Sequence, residues 1–232
     1  MATATAVVTG GSSGLGFALA EGLGAAGLGV VIIGRDQARV LEAERRLRET
    51  GADARGIACD VSRQEQVRRA FGEIGARGPV ALLVNVAGVG RFGAVEDITE
   101  QMIDEVSAGN LKGLMLATAA VLPMMRANGG GTIVSVLSTA ALVGRARESV
   151  YCAAKWGARG FMEALRVALK GTPIRTVTVY PGGMRTPFWS AASPPSPDVS
   201  TFMDPREVAR QILRVVLEPG GTSVTEMTIS RP

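Results

Sequence analysis

The 232-residue chain contains no histidine. That removes His-based catalytic triads and the usual zinc sites, so any general acid or base must be Tyr, Lys, Asp, Glu or Cys. Cysteine is nearly missing too. Cys59 and Cys152 are the only two and have no CxxC spacing, which argues against a disulfide framework or a thiolate metal site. Aromatic residues make up 4% of the chain, too few to suggest base-stacking platforms for nucleic acid. No apolar run approaches the ~18–20 residues needed to span a bilayer. The longest, such as Val30–Ile33 and Ala81–Val84, have the length of buried strands. Met1–Thr5 lacks the basic start and long apolar stretch of a signal peptide. These absences predict a soluble, cytoplasmic protein with neither nucleic acid nor membrane as partner.

Hydrophobic residues at 47% and charged residues at 20% describe a globular chain. Its length suits one α/β domain spanning residues 1–232. The net charge of +4 is spread among mixed signs, as in Glu42–Ala43–Glu44–Arg45–Arg46, which reads as a solvated helix surface.

Strand and helix patterns alternate along the chain. Strands are expected at Thr5–Thr9, Val30–Gly34, Asp53–Ala58, Ala81–Val84, Thr132–Val136, Ile174–Tyr180 and Ser223–Ile229. Helices are expected at Gly14–Gly27, Asp36–Thr50, from a Ser62/Glu65 capping box to about Ile74, and over Ser149–Lys170 and Asp204–Leu217. Thr99 is placed to cap a further helix, which breaks near Gly109 and resumes as a longer one ending at Asn128. This alternation implies a parallel sheet covered on both faces. One irregular stretch, Pro187–Met203, carries the run Ser193–Pro194–Pro195–Ser196–Pro197 and is expected to be a substrate-binding lid loop.

Between the first strand and first helix lies Thr9–Gly10–Gly11–Ser12–Ser13–Gly14–Leu15–Gly16. Glycines there let the backbone turn tightly and approach a pyrophosphate resting on the N–H groups of the helix N-terminus. The end of the second strand bears on which dinucleotide binds. NAD binders usually place an acid there for the ribose hydroxyls. Here the position is Gly34, followed by Arg35, whose guanidinium can bond a 2′-phosphate. NADP(H) is therefore favoured over NAD(H). The competing reading makes Arg35 a solvated loop residue and Asp36 the ribose acid. Asp60 either orients the adenine amino group or is a turn residue before Ser62. Asn85–Val86–Ala87–Gly88 ends the fourth strand on the same edge, where small side chains leave room for a ligand.

Tyr151 and Lys155 stand four apart on a predicted helix and so share one face. Lys155 is one of three lysines in an Arg-rich chain and follows Ala153–Ala154. An ammonium about 4 Å from the phenol, at an effective dielectric of about 20, contributes on the order of 4 kcal/mol. That is roughly three pKa units, enough to bring a tyrosine towards neutrality. Ser138, just past its strand, is placed to hydrogen-bond a substrate oxygen. Its local competitors are Ser135, expected to be buried in the strand, and Thr139, expected to point elsewhere. The substrate pocket is expected to draw on Ala140–Gly144, Val89–Phe92 and the Met184–Met203 loop. Apolar lining residues give a slight preference for a hydrophobic substrate, with Arg91, Arg145 and Arg147 as an alternative acid-binding set.

Taken together, the Thr9–Gly10…Gly14–Leu15–Gly16 turn, Asp60, Asn85–Gly88, Asn110, Ser138, Tyr151 with Lys155, and Pro181–Gly182 with Thr186 closely resemble the short-chain dehydrogenase/reductase family. The glycine spacing is that of its single-domain branch. The extended epimerase branch would have glycine in place of Ser13. The resemblance implies a Rossmann-type doubly wound sheet of about seven strands in the order 3-2-1-4-5-6-7. It also implies hydride exchange between NADP(H) and a ketone, aldehyde or alcohol. Tyr151 would be the acid/base, Lys155 would hold the nicotinamide ribose and lower the tyrosine pKa, and Ser138 would polarise the carbonyl. Asn110 would hold a water that relays protons to Lys155. Pro181, Gly182 and Thr186 would line the nicotinamide end, while Gly10, Ser12, Ser13, Gly14, Leu15, Gly16, Arg35, Asp60, Val61, Asn85, Ala87 and Gly88 would contact the rest of the cofactor.

Three departures from the family pattern stand out. Val86 replaces a second asparagine, Leu137 replaces a common serine before Ser138, and the chain stops soon after its last strand. A homodimer or homotetramer is expected. Two other readings compete with a small-molecule ketone reductase. One is a 3-oxoacyl-thioester reductase that would need a basic docking patch, with Arg126 and Arg166 as candidates. The other is a catalytically idle dinucleotide-binding regulator, whose mark would be loss of the Ser, Tyr or Lys.

Overall fold

The computed structural model describes residues 4–192, 197–217 and 222–231. Strands β1 (Thr5–Thr9), β2 (Gly29–Gly34), β3 (Ala54–Ala58), β4 (Val80–Asn85), β5 (Gly131–Val136), β6 (Ile174–Pro181) and β7 (Glu226–Ile229) form one sheet in the order β3-β2-β1-β4-β5-β6-β7. Every neighbouring pair is parallel. The helices are α1 (Gly14–Ala25), α2 (Gln37–Glu49), α3 (Gln64–Gly75), α4 (Glu100–Ser107), α5 (Gly113–Ala127), α6 (Ser149–Ala168), α7 (Phe188–Ala192) and α8 (Pro205–Leu217).

The continuous apolar strands make sense because successive residues serve two separate cores. Val7, Val31, Ile33, Leu83 and Ile133 point to one face, where they meet Phe71 and Ile74 of α3, Val121 and Met125 of α5, and Met162 of α6. Ala6, Val8, Val30, Ile32, Val84 and Val134 point to the other, against Leu19 and Leu23 of α1, Leu47 of α2 and Ile212 of α8. Helices on both faces force each crossover to return the chain to the same sheet edge. The strand order reverses between β1 and β4, and the loops diverging there open a crevice at the carboxyl ends of the strands.

Three local expectations are corrected. The Ser62/Glu65 capping box does not form. Ser62 donates both its N–H and its hydroxyl to Asp60 Oδ1, and α3 starts two residues later behind Arg63, whose side chain makes no cap bond. The chain does not break near Gly109. A π-helical turn over Ala108–Lys112 joins α4 to α5 without interruption. The last strand is shorter than expected, beginning at Glu226 rather than Ser223.

The joined stretch Glu100–Ala127 has the length and composition of a membrane span. Its residues Val106, Ala117, Val121 and Met125 are fully buried within the domain, which is the behaviour of a core helix. In the expected lid, α7 is followed by residues 193–196 of the Ser/Pro run, which lie outside the described residues, as do Met1–Thr3 of the start.

Candidate active site

The crevice is a cleft of about 590 Å³ running from the ends of β2 and β3 to α6 and α7. At its middle the turn after β1 lies against the segment after β4. Gly10 adopts φ +68°, and a Cβ there would stand 2.9 Å from the Ala87 backbone, so only glycine allows the two loops to touch. Thr9, buried at the end of β1, clasps them by accepting the N–H groups of Val86 and Ala87 at 3.1 and 3.2 Å. Ser13 precedes α1 without making a side-chain cap bond, and no acid stands in the first turn. The positive end of that helix is thus directed at the cleft, an arrangement suited to a phosphate.

At the β2 end, Arg35 and Arg39 both line the cleft. Asp36 is occupied as the cap of α2, its Oδ1 accepting Arg39 N–H at 3.1 Å. A Cβ on Gly34 would come within 2.8 Å of Val40 Cγ2 and 3.2 Å of Ser12 Oγ, so the packing leaves no place for an acid there. Asp60 lines the cleft, but one of its oxygens is committed to Ser62, so it is a turn residue whatever else it contacts.

At the other end, β5 delivers Ser138 and α6 delivers Tyr151 and Lys155 into the same cleft. Ser138 Oγ accepts Ala140 N–H at 3.1 Å, which fixes the oxygen and leaves its proton to be donated. Ser135 is fully buried and bonds Met162 Sδ, and Thr139 is taken up by Arg145, so neither competes with Ser138. Tyr151 and Lys155 are 8% and 4% exposed. The Lys155 Nζ lies 5.6 Å from the Tyr151 ring centre.

Burial governs both groups. It pushes the Tyr151 phenol well above its ordinary value, with a hydrogen bond from Ser138 pulling the other way and the Glu148 charge reinforcing the rise. It draws Lys155 down to about 8. The expected lowering of the tyrosine by Lys155 is absent from this balance. Spacing along a helix places the two on one face, but burial rather than the Lys155 charge governs the phenol.

Asn110 occupies the π-helical turn and is 1% exposed. Its amide nitrogen donates to Val89 O at 2.6 Å and Val106 O at 2.9 Å, while its Oδ1 is buried with no protein partner. A Cβ on Gly88 would be 2.6 Å from that Oδ1 and 3.7 Å from Lys155 Nζ, so both atoms converge on one small space that glycine keeps open.

Of the anticipated site residues, Gly10, Ser12, Ser13, Gly14, Leu15, Gly16, Arg35, Asp60, Val61, Ala87, Gly88, Asn110, Ser138, Tyr151, Lys155, Pro181, Gly182 and Thr186 all line the cleft. Asn85 does not. It falls on the same face of β4 as Leu83 and turns inward to bond Thr118 and Ser135. Ala140–Gly144 also stay out of the lining, Ala140 and Ala141 being buried in a 3₁₀ turn. Arg126 and Arg166 stand in the last turns of α5 and α6. Those turns lead into β5 and β6, at the sheet edge opposite the cleft, so the two arginines form no patch beside it. Sequence reasoning missed Arg39 and Glu105. The latter pairs with Arg91 at 2.9 Å on the cleft wall.

The family model of the short chain dehydrogenases matches residues 4–196. Sepiapterin reductase of Chlorobaculum tepidum is 34% identical over 88% of this chain and 82% of its own length. Carbonyl reductase family member 4 of Danio rerio is 32% identical over 92% of this chain and 91% of its own. Among solved structures, a variant actinorhodin polyketide ketoreductase with NADPH is 28% identical, with a TM-score of 0.90 over 98% of this chain and 95% of that one.

Proposed function

Because the chain belongs to the short-chain dehydrogenase/reductase family, an oxidoreductase family acting on alcohols and carbonyls with NAD(P), we propose that it reduces a ketone or aldehyde to an alcohol with NADPH, Tyr151 serving as the acid. The observation that carries this reading is the convergence of Ser138, Tyr151 and Lys155 on a cleft whose far end holds two arginines and has no room for an acid at Gly34. A catalytically idle regulator does not need that convergence. The Arg126/Arg166 docking patch named for the thioester-reductase reading does not stand beside the cleft, while ketoreductase relatives keep that reading as the alternative. A solved relative carries NADPH.

The residues present fit the dinucleotide. Gly10, Ser12 and the N-terminus of α1 would hold its pyrophosphate, Arg35 and Arg39 its 2′-phosphate, and Lys155 its nicotinamide ribose. When bound, it supplies the hydride that the carbonyl carbon receives. Ser138 donates a hydrogen bond to the carbonyl oxygen and holds it beside Tyr151. The raised phenol keeps its proton at neutral pH, which is the form that reduction consumes, and gives it to the oxygen as the alcohol forms. Lys155, near 8, then exchanges a proton readily. Asn110 Oδ1, an unclaimed acceptor facing the same space, is placed to hold the water that resupplies it.

The test is a fluorescence titration with NADPH and NADH. Charge-assisted bonds to the phosphate predict NADPH binding tighter by roughly ten- to a hundredfold. Arg35→Ala should abolish most of that margin without altering NADH binding. Equal or tighter binding of NADH would overturn the cofactor assignment, and binding of neither would overturn the reductase reading.

A further inference from the structure

The chain has six Phe, two Tyr and two Trp, and five of those rings meet at one place. Phe92 contacts Tyr151 edge-on with ring centres 5.5 Å apart, and Phe188 lies 5.8 Å from Tyr151. Trp189 contacts Phe92 at 5.8 Å, Phe188 at 5.4 Å and Phe202 at 5.1 Å. Four separate segments contribute: the turn after β4, α6, α7 and the approach to α8.

An ordinary core cluster would be sealed, but this one is open. Phe92, Phe188, Trp189 and Phe202 are each half-buried. Phe188 and Trp189 line the cleft together with Tyr151. The indole N–H of Trp189 is spent on Met184 O at 3.0 Å, so the ring offers its π surface rather than a donor. The wall is held in place by the backbone, since Phe92 N–H donates to Ala192 O at the end of α7. Gly90 lets Phe188 approach, because a Cβ there would be 2.6 Å from its ring. Of the nearby cations, Arg91 is paired with Glu105, and Arg145 and Arg147 do not line the cleft.

Resting on the reductase reading above, we infer that the substrate carries an uncharged aromatic or fused planar ring at or next to the reacting carbonyl, packed against Phe188 and Trp189. A ring sandwiched between two others needs roughly 7–8 Å, two contact distances. Phe188 and Tyr151 are closer than that, so the substrate ring lies on the cleft side of the aromatic wall with its carbonyl directed at Tyr151 and Ser138. Aromatic pairs favour a ring over a saturated group of equal size by roughly two- to tenfold per contact.

Two measurements on the protein test this. The first compares kcat/KM with NADPH for matched ketones, acetophenone against cyclohexyl methyl ketone and 1-tetralone against 1-decalone. The aryl member of each pair should be preferred at least fivefold, and Phe188→Leu or Trp189→Leu should bring the ratio close to one. The second does not depend on turnover. In Trp156→Phe the indole of Trp189 is the sole tryptophan, and 1-tetralone should quench it at lower concentration than 1-decalone. Equal ratios and equal quenching would overturn the inference while leaving the reductase reading intact. Selective quenching without reduction of any ketone would uphold the ring preference and overturn the reductase reading instead.

Discussion

Arg35, Asp36 and Arg39 stand exposed at one end of the cleft, whereas Tyr151 and Lys155 at the other are 8% and 4% exposed. On the proposed reading, recognition at the first end would rest on charges in water, backbone N–H groups and a missing side chain at Gly34. At the second end burial withdraws Tyr151 and Lys155, the groups proposed to react, from water and alters their proton affinities. The contrast teaches that selectivity for the cofactor and chemistry on the substrate respond to different physical variables: salt and charge at one end, depth of burial at the other. Substitutions at the two ends should therefore fail in different ways.

The largest effect is expected from Tyr151→Phe, which removes the acid but keeps the ring. General acid catalysis is worth roughly 10²–10⁴-fold, so kcat for ketone reduction should fall about a thousandfold while NADPH binding by fluorescence changes little. Retained turnover would break the contrast by showing that another group supplies the proton.

Lys155→Met should lower activity about a hundredfold and yet stabilise the fold. The lysine titrates at about 8 in the native protein against an ordinary 10.5. The unfolded chain therefore holds more protons between those values, and native stability rises with pH across that window. Below pH 8 the buried charge costs on the order of 3 kcal/mol. Urea unfolding at pH 7 should show Lys155→Met more stable than the native chain, with the difference shrinking towards pH 10. A destabilised variant would mean that Lys155 is compensated by a partner outside this geometry.

Arg35→Ala should weaken NADPH binding by roughly ten- to a hundredfold, less so at high salt, with unfolding midpoints unchanged. A loss of stability here would erase the distinction between the two ends. The smallest effect is on pH dependence. The rate of reduction should fall above about pH 8, up to tenfold per unit, as Lys155 loses its charge. In Arg35→Ala the same break should persist, measured with saturating cofactor.

Much of this was readable from the sequence because parallel strands and right-handed crossovers return each loop to the same edge. Once strands and helices were assigned, Gly10, Ser138 and Tyr151 had to face one another. Failures came where direction or depth mattered. Asn85 sits at the correct edge, but the two-residue period of β4 turns it inward. Arg126 and Arg166 were plausible as cations, yet a helix that runs back along the sheet carries its last turn away from the cleft. Ser62 has the residue type of a cap, but Asp60 two residues before it forms an Asx turn that claims it first. The π-helical turn holding Asn110 has no sequence signature, though Gly109 marked the place as irregular. Pair spacing places Lys155 on the same face as Tyr151, but only the folded interior shows that desolvation dominates both groups.

The segment carrying Phe188 and Trp189 is clipped at its base, where Met184 and Met203 pair, with Arg185 N–H donating to Met203 O at 2.9 Å and Met203 N–H to Gly183 O at 3.0 Å. That clip makes what lies between a cassette. The cost of closing a loop grows slowly with its length, so the part of it beyond Thr186 and Phe188, which touch the glycine turn and Tyr151, can change in length while the sheet stays as it is. Descendants of such a chain can change what they accept without relearning how to fold.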